Sequence, residues 1–168
     1  MLIDAVRLLL FPAVMAFAAS TDLFTMRISN RVPIALAAGF FALALLDRVP
    51  LIDIGNYLAA GFLVLAVSFV FFARGWIGGG DAKLAAATAL WFGWAHIMDY
   101  LLVASLFGGV LTLALLEFRR RSLPPVLARQ AWVARLHEPA GGVPYGIALA
   151  AAALIIYPST IWMTSSVP

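Results

Sequence analysis

The chain has 168 residues, of which 64% are hydrophobic and only 11% charged, with a mean hydropathy of +1.02. That leaves too little polar surface to cover a water-soluble globule, so the class is an integral membrane protein, and no nucleic-acid partner is expected. Eleven Lys and Arg against eight Asp and Glu give a formal net charge of +3, and the distribution of those bases matters more than their sum.

Apolar runs broken at charge, Pro or Gly mark six candidate spans, at about residues 5–21, 32–46, 55–73, 82–97, 99–117 and 143–163. A hydrocarbon core about 30 Å thick calls for roughly 20 helical residues, so the second and fourth are short. These lengths suit helices rather than the alternating strands, about 10 residues long, of a barrel. The expected fold is all-α and polytopic, with about six transmembrane helices. The runs recur along the whole length, so residues 1–168 are expected to form a single membrane domain. No cationic region precedes the first run and no small-residue cleavage site follows it, so it is read as a retained span rather than a signal peptide.

Arg27 and Arg31 fall in the first connection, Arg74 and Lys83 in the third, and Arg119, Arg120, Arg121, Arg129 and Arg135 in the fifth. Only Arg7 and Arg48 take the alternate side. This bias predicts that connections one, three and five are cytoplasmic and that both termini lie outside. The fifth connection, 119–142, is the only long one. After Pro124 and Pro125 its apolar residues alternate with Arg129 and Arg135 at a spacing that fits a short helix on the membrane surface, attracted by anionic lipid. Trp91 and Trp94 read as interfacial belt residues, and His96 and His137 as interfacial residues too few to assemble a metal site.

Two acidic residues stand out at the predicted cytoplasmic edge. Asp81 follows Gly78-Gly79-Gly80 and begins a strong helical run. It can cap that helix and meet its positive dipole end, but three glycines also mark backbone that bends sharply or lets another chain approach closely. Asp22 ends the first span, where a helix C-terminus disfavours negative charge and Arg27 is out of ideal pairing register. A solvated edge position and a chemical role both remain open for it. Two carboxylates brought together cannot both ionise cheaply and tend to share a proton. Such a pair suits peptide hydrolysis: one member takes a proton from water while the other polarises the carbonyl and protonates the departing amine. The same pair can also serve as a proton relay in a carrier or channel, although the spans are filled with Ala, Leu, Val and Phe rather than a polar path. A non-catalytic assembly factor is a third reading. The absence of cysteine excludes disulfides, Cys-ligated zinc and thiol nucleophiles, and neither metal nor cofactor is expected.

The stretch from Ser20 through Asp22 to Arg31, followed by Gly78-Gly79-Gly80-Asp81-Ala82-Lys83, resembles the type IV prepilin peptidase family of membrane aspartyl proteases, whose signature is GxGD. The closing Val143-Pro144-Tyr145-Gly146-Ile147-Ala148-Leu149 is similar to the Pro-x-Gly-x-Ala-Leu stretch of that family's last core helix. The resemblance implies that Asp22 and Asp81 are the catalytic pair. It further implies that the substrate is a pilin precursor cleaved ahead of its hydrophobic helix at the cytoplasmic face of a bacterial inner membrane. Larger members carry a Cys-containing methyltransferase domain. This chain lacks that insertion and resembles the short form of Tad-type, Flp pilus systems, where pilus assembly machinery is a natural partner. Gly78, Gly79, Gly80, Pro144 and Gly146 are expected to face the substrate, the last two by offering unpaired backbone to an extended chain. Asn30 or Ser29 is expected to cap the second span, and Lys83 either to act on Asp81 or simply to add positive charge inside.

Overall fold

The computed structural model describes residues 2–164, with side chains described from Val6 to Met163. Every regular element among them is helical. In chain order these are α1 (Leu2–Thr25), α2 (Arg31–Leu46), α3 (Leu51–Ala73), α4 (Gly79–Arg120), α5 (Pro125–Ala128), α6 (Ala131–His137), α7 (Tyr145–Ile156), a 3-10 turn (Tyr157–Ser159) and α8 (Ile161–Thr164). Three of them, α1, α3 and α4, are long and apolar enough to cross a membrane, and α2 and α7 are shorter apolar helices. Large apolar side chains point outward along α3, among them Phe62, Phe69 and Phe72, as expected where lipid is the solvent. The chain is a polytopic all-α membrane protein.

The fourth and fifth predicted spans are a single element that doubles back on itself. Gly93 sits within α4 at φ 56° and ψ −164°, a conformation essentially restricted to glycine. Around it the helix folds into two arms, 79–92 and 94–120, so that Ala85 and Leu101 face one another. The turn falls at Gly93 rather than near residue 98, between the predicted spans 82–97 and 99–117. A Cβ at Gly93 would stand 2.6 Å from the Tyr57 ring, so space as well as backbone geometry demands glycine here. The last predicted span is likewise interrupted: α7 ends at Ile156, and the chain turns through Pro158 into α8.

The core gathers near this turn. Phe11 stacks on Tyr157 with ring centroids 4.4 Å apart, and Phe40, Trp91 and Trp162 pack edge to face. Each indole N–H finds a carbonyl, Trp91 donating to Leu36 at 2.9 Å and Trp162 to Trp91 at 2.8 Å. Trp91 is only 1% exposed and is therefore a core anchor rather than a belt residue. Trp94 is exposed, as a belt position requires. An ion pair between Arg7 and Asp47 ties α1 to the end of α2 at this same end of the bundle. A cavity of about 740 Å³ opens beside that pair between Arg48, Asp53, Trp94 and Trp162. Asp22 and Asp81 occupy the other end.

Candidate active site

Asp22 lies in the last turn of α1, which runs four residues beyond the predicted span. Hydroxyl side chains close this turn: Ser20, Thr21 and Thr25 donate to Ala16, Phe17 and Thr21 carbonyls at 2.8, 3.0 and 2.6 Å, so local side chains compete successfully for backbone acceptors. Met26 then takes the left-handed conformation at φ 54° and ends the helix, its N–H reaching the Asp22 carbonyl at 2.7 Å, in the manner of a helix C-terminal cap. The Asp22 side chain is only 4% exposed. Its Oδ2 accepts the Gly146 N–H at 2.8 Å, so a backbone donor at the start of α7 fixes its orientation.

Asp81 sits at the third position of α4, whose N-cap is Gly78. Its Oδ2 accepts the Gly78 N–H at 3.2 Å, one half of a capping box. The capping reading of Asp81 therefore holds, and it does not exhaust the residue, because the carboxylate also lines a cavity. None of Gly78, Gly79 and Gly80 needs a positive φ. Their small size is used instead. A Cβ at Gly80 would lie 3.0 Å from Ile28 Cβ and 3.3 Å from its carbonyl oxygen, and one at Gly79 would meet the Phe72 ring at 3.2 Å.

Ile28 is the piece that sequence reasoning missed. Its backbone crosses Gly80, and its Cδ1 lies where a Cβ on Gly146 would be 2.8 Å away. One side chain from the α1–α2 connection is thus wedged between the glycine beside Asp81 and the glycine that holds Asp22. It thereby joins the turn of α4 that carries Asp81 to the start of α7, whose Gly146 holds Asp22. Nothing in an isolated loop isoleucine signals this, because the contact is made only once three distant segments assemble. Lys83 steadies the same connection: its Nζ donates to Asn30 Oδ1 at 2.9 Å. Lys83 therefore pairs with the loop and not with Asp81. Asn30 is the N-cap of α2 by position, but its side chain makes no capping bond; Ser29 Oγ accepts the Arg31 N–H at 3.3 Å instead.

The long connection returns to this end as two short helices rather than one. From α6, Arg135 donates to the Phe24 carbonyl at 2.7 Å and Trp132 packs edge-on against the Phe24 ring. Arg119 reaches back to the carbonyls of Leu136 and Gly142, both at 2.8 Å, and His137 contacts the Arg121 carbonyl and the Phe118 ring. None of these six contacts carries chemistry of its own. The two to Phe24 hold the end of α1 two residues beyond Asp22.

A cavity of about 440 Å³ extends from Asp81 between α3, the second arm of α4 and α7, with Tyr145, Ala148 and Leu149 along its α7 side. Among the residues expected to meet substrate, Asp81 lines this cavity, Gly78 and Gly146 spend their N–H groups on Asp81 and Asp22, and Pro144 is buried as the N-cap of α7. Gly146 therefore offers no free donor to a passing chain. Among the described residues no group of three or more His, Asp or Glu gathers as for a metal ion. What the arrangement can do chemically is acid–base work: two carboxylates, each oriented by one backbone amide, with an open cavity beside one of them.

Residues 9–113, which include Asp22 and Asp81, match the type IV leader peptidase family. The match covers more than half of the chain, so the protein belongs to that family and is a protease of the leader-peptidase type set in a membrane. No curated protein and no solved structure gave a significant match to the chain.

Proposed function

We propose that the protein is an aspartyl endopeptidase that removes the leader from precursors of Flp-type, Tad-system pilins at the cytoplasmic face of a bacterial inner membrane, with Asp22 and Asp81 as its catalytic pair. The single observation that carries this reading is the convergence of the two carboxylates, from opposite ends of antiparallel helices, around Ile28, Gly80 and Gly146. Family membership supplies the reaction class. The cytoplasmic face is supported by the nine basic residues on connections one, three and five and by the positive-inside rule. The short form is supported by a first connection of only five residues between Thr25 and Arg31, which has no room for an inserted domain.

In the reaction, water attacks the scissile carbonyl. One carboxylate takes a proton from that water as the other protonates the carbonyl oxygen and, on collapse of the tetrahedral species, the amine leaves with a proton. Neither covalent intermediate nor metal is used. Fixed N–H donors at Gly78 and Gly146 keep both carboxylates from swinging to solvent, the preorganisation that such proton transfers require.

The test is cleavage of a synthetic pilin precursor by purified protein in detergent, read by mass spectrometry. Asp22→Asn and Asp81→Asn are each expected to abolish cleavage while the protein still purifies as a folded species, because Asn keeps an acceptor for the Gly146 or Gly78 amide. Near wild-type turnover by either variant would refute the assignment of that residue.

A further inference from the structure

The geometry points to the cavity beside Asp81 as a groove in the membrane-facing side of the protein that seats the apolar helix of the substrate immediately after the bond to be cut. This inference rests on the peptidase reading and adds where the non-reacting part of the precursor binds. Three observations carry it. First, Asp81 closes one end of the groove, and the remaining lining is almost wholly apolar. Second, Leu101, Ala104, Ser105, Gly108 and Gly109 line it from the second arm of α4, at the i, i+3, i+4, i+7, i+8 spacing that puts them on one helical face. Small residues at such spacing let a second helix approach backbone to backbone within a bilayer. Gly108 is already covered, since a Cβ there would meet the Tyr145 ring at 3.1 Å, whereas a Cβ at Gly109 would meet nothing within 4 Å. The open half of the stripe therefore faces the groove and has no partner in the chain itself.

Third, Ser68 of α3 lines the same groove, is only 8% exposed, and its hydroxyl makes no hydrogen bond among the described residues. The hydroxyl opens onto the groove, and a hydroxyl left without a partner among apolar lining is costly. The first turn of an incoming helix carries N–H groups with no acceptor of their own, and one of these satisfies Ser68. An acyl chain of a lipid can fill the apolar part of the groove but offers the hydroxyl nothing. The cavity holds a few side chains rather than a whole helix, so the substrate lies in it by one face, as in helix-in-groove recognition.

The experiment compares two synthetic precursors with the same leader and cleavage site, one carrying its full apolar helix and one truncated just after the site. The readout is the ratio of kcat/KM for long over short substrate, which cancels any general loss of activity. Gly109→Phe fills the open half of the stripe, and the ratio is expected to fall by at least about tenfold, the scale on which an apolar pocket discriminates by fit. Leu106→Phe, on the same arm at an exposed position outside the groove, is expected to leave it unchanged. In parallel, Gly109→Cys in an Asp81→Asn background is expected to form a disulfide with a single cysteine placed in the apolar helix of the long precursor, in a chain that has no cysteine of its own. An unchanged ratio in Gly109→Phe, or cross-linking no stronger than from Leu106→Cys, overturns the groove while leaving the peptidase reading intact. Failure of the unsubstituted protein to cleave either precursor overturns the peptidase reading and the groove with it.

Discussion

Gly146→Ala is a small change that the structure makes large. A Cβ built on Gly146 would stand 2.7 Å from Asp22 Oδ2, 3.1 Å from Asp22 Cβ and 2.8 Å from Ile28 Cδ1, where ordinary contact begins near 3.4 Å. The Asp22 carboxyl must therefore retreat by about 0.7 Å, and its bond to the Gly146 amide, now 2.8 Å, stretches to about 3.5 Å, beyond useful hydrogen-bond range. Misplacing a reacting group by about 1 Å costs up to roughly a hundredfold in rate, and a lost hydrogen bond to a charged group costs about 1.5–3 kcal/mol, the same order. The expected outcome is a fall in kcat/KM of about fiftyfold to a few hundredfold for precursor cleavage. Overpacking of about 1–3 kcal/mol should lower the thermal midpoint only modestly. Ile28→Ala in the same chain removes one of the two obstructions but not the carboxylate, so it should recover stability more than activity. Cleavage by Gly146→Ala within twofold of wild type, with the midpoint unchanged, would refute the claim that this glycine sets the position of Asp22.

Gly80→Val should nearly abolish cleavage without altering any charge, since even its Cβ meets Ile28 at 3.0 Å and the branched carbons reach further; full activity in the same assay would reduce the glycine run to a linker. Gly93→Ala should destabilise the protein by roughly 2–5 kcal/mol in detergent unfolding, combining a glycine-only conformation with a clash against Tyr57, and a loss under about 1 kcal/mol would mean that the α4 turn is not held there. For topology, Ser29→Cys should resist an impermeant thiol reagent added to intact cells and react once the membrane is opened, while Asp53→Cys reacts from outside. The reverse pattern would place the aspartates on the wrong face for a leader held in the cytoplasm.

Hydropathy alone located the helical segments, because burial in lipid is written in composition. It misplaced the α4 turn, since Trp91, Phe92 and Trp94 make the sequence around Gly93 look like uninterrupted span and the nearest charge, Asp99, lies beyond it. Trp91 looked interfacial for a related reason: composition gives depth but not which face a side chain presents, and the acceptor that buries this indole is the carbonyl of Leu36, distant in sequence. At the site, Asp22 and Asp81 were legible because an acid beside a span needs an explanation. The glycines were legible as special, but their reason was not. A run of glycine suggests unusual dihedral angles, whereas Gly80 and Gly146 have ordinary backbone and are small to admit Ile28 and the Asp22 carboxylate. Such steric reasons belong to pairs of segments and are invisible in either one.

The unequal arms of α4 carry a further meaning as a depth gauge. Gly93 shares its end of the bundle with Arg7, Asp47, Arg48 and Asp53, and on the proposed topology these charges belong at the headgroup level. At about 1.5 Å per residue the arm 79–92 climbs only about 20 Å from there, against a hydrocarbon thickness of about 30 Å. The longer arm, by the same measure about 40 Å, carries Arg119 to Arg121 clear of the layer. On that topology Asp81 stands at the top of a column cut short, where either the lipid dips to meet it or water follows it inward. On the proposed reading, a precursor still anchored by its apolar helix has its cleavage point at this recessed level already, and need not be hauled out into the cytosol to be cut.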